Sequence, residues 1–188
     1  MVSVVSLWLP VVLAAVFVFI VSSVIHMAPL WHRNDFQGMA HEAEVANALR
    51  PLNLAPGEYM LPWCAPKERK SPEFAERMKQ GPVAMLSILP NGPMSMARPL
   101  ALWFVYLLIV GAFAALIAAH TLPAGTKYLR VFKVVLTASF MGYALALLQN
   151  SIWFRRPWSA TFKGCFDALI YAALTAGTFG WLWPHAAS

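Results

Sequence analysis

Pro99–Ala119 reads PLALWFVYLLIVGAFAALIAA, a stretch without a single charged residue. A bilayer's hydrocarbon core asks for about 20 mostly apolar residues in a helix, and an ordinary core helix has no use for such length without a polar face. Three further windows read the same way: Val4–Ile25 and Val134–Phe154 carry no charge, and Ala168–Pro184 is a shorter uncharged run. The expected fold is therefore mostly α: a four-helix transmembrane bundle. The remaining long segment, 26–98, falls between the first and second windows and reads as a small α/β insertion.

The first window is read as a retained anchor rather than a secretory signal. No Lys or Arg precedes Arg33, and a signal sequence needs a basic start, a short apolar stretch and a small-residue cleavage site. The expected organisation is an anchor at 1–25, an extramembrane cap at 26–98, a three-helix membrane region at 99–184 and a tail at 185–188.

Four crossings put both termini and the loop His120–Lys133 on one side, here side A, and the cap and the loop Arg155–Phe166 on the other, side B. Near the span ends, side A carries Lys127, Arg130 and Lys133, whereas side B carries Arg33, Lys79, Arg98, Arg155, Arg156 and Lys163. Basic residues are retained on the cytoplasmic face, so this distribution places the cap in the cytoplasm and both termini outside it. Tryptophan marks the same boundaries, because its ring favours the headgroup level. Trp8, Trp181 and Trp183 lie at side A ends, and Trp31, Trp103, Trp153 and Trp158 at or near side B ends.

A net charge of +6 on 188 residues invites a nucleic-acid reading. Divided by segment, side A holds three of those units, the loop before the fourth window a net two, and the long cap only one. The excess is a topology and anionic-lipid signal, and nucleic acid is excluded as a partner.

Small residues recur every fourth position in three of the windows: Gly111, Ala115, Ala119; Ala138, Gly142, Ala146; Ala172, Ala176, Gly180. Lipid supplies no hydrophobic drive between helices, so close backbone approach at such stripes has to hold them. Spans two to four are expected to pack tightly, with span one more peripheral. Gln149 and Asn150, near the end of span three, are candidates for interhelical hydrogen bonds.

Within the cap, Ala40–Leu49 is expected to be a short helix stopped by Pro51, and Ser71-Pro72-Glu73 a capped helix start that Gly81-Pro82 closes. Glu58–Trp63 and Val83–Leu89 are strand candidates, the latter alternatively a segment lying along the membrane surface.

Chemistry has few places to sit. His26, His32, Asp35 and His41, with Glu44, offer imidazole and carboxylate donors that suit a borderline divalent ion, in a spacing that matches no defined motif. The alternative is that His32 and Asp35 simply brace the exit from the first span. A transition metal thus stays open, whereas haem is disfavoured, because His26 and His120 end their spans on opposite sides. Asp167 is the one acidic residue near a span, and four residues separate it from Lys163, so a structural i,i+4 ion pair is expected there. Cys64 and Cys165 belong to no CxxC pair, and there is no phosphate loop, nucleophile elbow, HExxH or dinucleotide turn.

Three stretches, His32-Arg33-Asn34-Asp35-Phe36 after the anchor, Pro56-Gly57-Glu58-Tyr59 leading to Pro62, and Asp167–Tyr171 through Phe179–Pro184, resemble a group of short four-span bacterial inner-membrane proteins of uncharacterised function. The resemblance implies that membrane and carries no activity. With no catalytic constellation, the leading expectation is an accessory or assembly component in the lipid bilayer, binding another membrane protein or itself through the cap. A metal-handling subunit and a carrier for a small solute or lipid-like ligand are the alternatives.

Overall fold

A computed structural model describes residues 2–27 and 31–186 of the chain. Along it come α1 (Trp8–Met27), α2 (Glu42–Leu49), β1 (Gly57–Leu61), α3 (Pro72–Gln80), β2 (Ala84–Ile88), α4 (Ala97–Thr121), α5 (Tyr128–Phe154) and α6 (Trp158–Trp181). They form two compact units, Met1–Phe36 with Ser95–Ser188, and Gln37–Met94. The protein is mostly helical, with one small two-stranded sheet. Among the described residues three helical stretches, Val5–Met27, α4 and α5, are long and apolar enough to cross a membrane.

The larger unit is a bundle of α1, α4, α5 and α6. Two helices begin well before their apolar windows: α5 starts six residues before Val134 and takes in Arg130 and Lys133, and α6 starts ten before Ala168 and takes in Lys163 and Asp167. Hydrogen-bonded turns continue past the apolar stretch because Lys and Arg are about as good helix formers as Leu or Met. Pro10 falls within the first two turns of the helical stretch Val5–Met27, where bilayer helices tolerate proline.

Outward faces are apolar, as on α4, where Val105, Ile109 and Phe113 recur every fourth residue and are about half exposed. Inward faces are small. Gly111 lies against Val11 of α1 and Gly142 against Val110 of α4, with room for a Cβ only at 3.3 and 3.1 Å, and Gly180 lies under the ring of Tyr128. Ala114, Ala115, Ala118, Ala172 and Ala176 are buried beside them.

Span one is not peripheral. α1 packs against both α4 and α6, burying Ala14, Ala15, Val18 and Ser22, so the four helices close a ring in which α5 and α6 share the most extensive seam. The slender face that admits this is Ala14, Val18 and Ser22, a stripe only partly made of the smallest residues. Among the described residues three side-chain hydrogen bonds join helices: Trp103 Nε1 donates to Ser22 Oγ (3.0 Å), the Tyr106 hydroxyl to Gly142 O (2.7 Å), and Ser151 and Thr161 share one at 2.7 Å. The interhelical contact expected from Gln149 and Asn150 is thus made by Ser151. Asn150 instead uses its backbone carbonyl, which accepts from Arg156 N (3.2 Å) where Arg155 turns left-handed (φ 56°) to end α5.

One end of the bundle gathers Leu7, Leu122, Val131, Phe179 and Trp183 in a core cluster. There Trp183 Nε1 donates to Pro123 O (3.0 Å) and Gly125 N to Pro184 O (2.8 Å), tying the chain after α6 to the α4–α5 loop. The opposite end brings together the C-terminal ends of α1 and α5 and the N-terminal ends of α4 and α6, the residues of which line one cavity.

In the smaller unit β1 and β2 pair antiparallel, with Gly57 opposite Ile88 and Leu61 opposite Ala84. Val83–Leu89 is therefore largely a paired strand. Ser87 Oγ donates across the pair to Glu58 Oε1 (2.7 Å). α3 is capped as its sequence implies: Phe74 N donates to Ser71 Oγ (3.1 Å), Pro72 opens the first turn, and Gly81 ends the helix at positive φ. The Glu73 carboxyl is held below its ordinary value by its own backbone N–H and by Ser71. α2 begins at Glu42 rather than Ala40, because His41 adopts a left-handed conformation (φ 59°) that interrupts a right-handed turn.

Candidate functional site

At the cavity end of the bundle, α1 finishes with His26, the Nδ1–H of which donates to Ser22 O one turn back (2.9 Å). The next described residues, 31–36, form a turn in which Asp35 N donates to His32 O (3.1 Å). This turn lies against the start of α6, with the Trp31 ring 5.7 Å from that of Phe166. His32 stacks on His26, ring centroids 4.7 Å apart and planes 13° from parallel.

A chain of polar contacts stitches the turn to α6. Lys163 Nζ donates to Asp35 Oδ1 (2.9 Å), and Asp35 Oδ2 accepts from His32 Nδ1 (2.7 Å). On the other side of the imidazole, His32 Nε2 lies 2.9 Å from Asp167 Oδ2, and Asp167 Oδ1 accepts from Trp31 Nε1 (2.9 Å). Asp167 is 3% exposed, and it is the only acidic residue in the four long helices. Burying a carboxylate so deeply is costly unless it is paired, and the imidazole and the indole supply the pairing.

His32 therefore stands between two carboxylates. Its Nδ1 proton satisfies Asp35. The Nε2 contact with Asp167 then requires a shared proton, since a bare nitrogen lone pair facing a bare carboxylate lone pair is repulsive. Burial pushes the Asp35 carboxyl up, but the hydrogen bonds and charges of His32 and Lys163 together outweigh it and hold the group below the usual carboxylate value. Asp35 stays ionised and fixes the orientation of the ring.

Beside this cluster opens a cavity of about 720 Å³. His26, His32, Asp35, Arg156 and Asp167 give it a polar rim, and Trp103, Tyr106, Tyr143 and Tyr171 give it an aromatic wall. Those rings contact one another, Trp103 stacking on Tyr106 (5.4 Å) and Tyr143 meeting Tyr171 edge-on (6.0 Å). Trp103 and Tyr106 spend their polar tips on protein, on Ser22 Oγ and on Gly142 O (2.7 Å). The Tyr171 hydroxyl, buried one turn beyond Asp167, has no hydrogen-bond partner among the described residues.

Of the four metal candidates from the sequence, His26, His32 and Asp35 come together. His41 lies in the other compact unit, where its exposed Nδ1 meets Glu44 Oε1 at 3.2 Å. The expected Lys163–Asp167 pair is replaced: Lys163 reaches Asp35, and Asp167 takes His32 and Trp31. Both partners come from the turn after α1, a placement that helical spacing does not reveal. His120 is elsewhere, its Nδ1 donating to Leu116 O (2.8 Å). Cys64 and Cys165 carry free thiols. Sequence reasoning missed Asp167 as a site residue and the four aromatic wall residues; a lone acid followed by a tyrosine at i+4 in an apolar helix is the signal it held. Comparison with protein-family models, curated proteins and solved structures finds no match.

Proposed function

We propose that this chain is a four-span membrane protein that binds a small amphipathic molecule inside its bundle. The ligand's polar head meets the His32–Asp167 rim, and its apolar body lies on Trp103, Tyr106, Tyr143 and Tyr171. The supporting observation is the cavity itself: its volume falls in the range of about 300–1,000 Å³ typical of small-molecule sites, and it combines an aromatic wall with a few convergent polar groups. The unpartnered Tyr171 hydroxyl adds a donor awaiting an acceptor.

Solvent extraction of protein purified in mild detergent, followed by mass spectrometry, tests this reading. A molecule retained near one per chain, and lost in Leu102→Trp, where a half-exposed wall residue is enlarged to fill the cavity, is the expected result. Identical bulk-lipid extracts from both proteins would sink it.

The four-span reading counts α6 as a crossing, on its length and its place in the ring of helices. The bacterial inner membrane, with both termini outside the cytoplasm and 26–98 inside, remains the proposed setting on the basic-residue distribution. Cys64 is buried, so labelling a cysteine placed at the exposed Lys67 (Lys67→Cys) with an impermeant reagent in intact cells and in inverted vesicles decides the orientation; reaction in intact cells would reverse it.

A second reading, an assembly component that binds a protein through its insertion, is favoured by one observation. The β1–β2 pair has no third strand among the described residues, so each strand keeps one open edge, and exposed edges invite pairing. Cross-linking in native membranes that recovers a partner through β1 or β2 would support it; cross-links confined to the helices would not.

A further inference from the structure

We infer that His26, His32 and Asp167 form a binding site for a borderline divalent transition metal, of the zinc or ferrous class, at the rim of the cavity. One ligand atom from each residue lies within 4.8 Å of the others. Proximity alone would be weak. The argument rests on what holds the other end of each side chain.

Metal-binding imidazoles characteristically donate their second ring N–H to a carbonyl or carboxylate, which fixes the tautomer and presents a lone pair at the remaining nitrogen. Both histidines do so here. His26 donates through Nδ1 to Ser22 O, and His32 through Nδ1 to Asp35 Oδ2, a carboxylate itself anchored by Lys163. In each ring Nε2 is left free of that outer bond to serve as the ligand. Asp167 is prepared in the same way, one oxygen being taken by the Trp31 indole and the other turned towards His32 Nε2. Every donor thus has an outer partner that orients it.

The same arrangement explains the contact that metal-free chemistry handles poorly. Where His32 Nε2 faces Asp167 Oδ2, a single proton must be shared; a divalent cation replaces that proton and satisfies both lone pairs at once. Asp35 on the far nitrogen strengthens the imidazole as a ligand. Ligands at about 2.0–2.2 Å from a tetrahedral ion stand roughly 3.4 Å apart, so the His32–Asp167 edge, 2.9 Å as it stands, opens by about 0.5 Å, while the edges to the exposed His26 close by up to about 1.4 Å. Two imidazoles and one carboxylate suit zinc or ferrous iron and leave a coordination position for water or ligand. All three residues line the cavity, so a molecule there reaches the ion.

The test uses the full-length protein in mild detergent, stripped with a chelator and titrated with Zn²⁺ alone and with Co²⁺ alone, the latter read by its visible absorption. One equivalent is expected to bind, with cobalt bands of a four- or five-coordinate ion. His26→Ala and Asp167→Asn should each weaken binding at least tenfold, and Asp35→Asn, an orienting residue, by about 10–100-fold. His41→Ala should leave the affinity unchanged. If Asp167→Asn fails to fold, His26→Ala carries the test, since its exposed ring spans no helix–helix seam, and circular dichroism confirms the fold. Less than a tenth of an equivalent bound at saturating Zn²⁺, or wild-type affinity in His26→Ala, overturns the site.

Discussion

His32 and Asp167 stand 135 positions apart in the chain and 2.9 Å apart in space, the nitrogen of one facing the carboxylate oxygen of the other across the junction between the α1 exit and α6. This contact, with those of Trp31 to Asp167 and Lys163 to Asp35, fastens the turn after the first helix to the last helix.

Replacing Asp167 with Asn keeps the shape and removes the charge that the imidazole and indole answer. His32 keeps Asp35 as a counter-ion and is partly solvated, so the loss should be at the lower end for a broken buried pair, about 3 kcal/mol. Thermal unfolding of the chelator-treated protein in detergent measures it; an unshifted midpoint would mean that Asp167 contributes no net stability.

Lys163 tests which pairing is real. A double-mutant cycle of Asp35→Asn with Lys163→Met should return a coupling of about 1 kcal/mol, at the upper end for a partly exposed pair because the Asp35 carboxylate is nearly buried. The corresponding cycle of Lys163→Met with Asp167→Asn should show a smaller coupling. The reverse order would restore the simple helical i,i+4 pair.

Ser22 links α1 to α4 through the indole of Trp103. Ser22→Ala leaves that N–H without its acceptor, and interhelical hydrogen bonds in membranes are worth about 0.6–1.7 kcal/mol, so a loss in that range is expected. Against a Trp103→Phe background the same substitution should cost almost nothing. Equal cost in both backgrounds would show that Ser22 acts through packing alone.

Gly142 is a point of close approach between α4 and α5. A Cβ there meets Val110 Cγ1 at 3.1 Å, and Val110 is buried. Gly142→Val should therefore destabilise the bundle by about 1–3 kcal/mol. Adding Val110→Ala should recover part of the loss, and failure of that rescue in a melting comparison would point to backbone strain in α5 instead.

Much of the architecture was legible because membrane helices are local objects. Uncharged runs of about 20 residues identify them without reference to any neighbour. The cap on α3 is equally local: Ser71, Pro72 and Gly81 act within one turn of themselves. The two strands were legible in outline, since Pro and Gly flank 57–61 and 84–88, but their pairing with each other was not.

The site was legible only in part, and the division has a physical cause. His26, His32 and Asp35 lie within ten positions of one another, so composition alone drew attention to them. Asp167 looked satisfied by Lys163, because helical periodicity knows only neighbours three and four residues away. The choice between Lys163 and His32 was made by the ring of four helices, which carries α1 against α6 and lowers the turn 31–36 onto the buried carboxylate. By itself, then, the chain of residues determined which segments are helices, how some of them end, and which polar groups flank the long apolar runs. Tertiary structure decided which of those groups meet, because a buried charge takes the partner that packing brings within hydrogen-bond distance and not the one that is nearest in sequence.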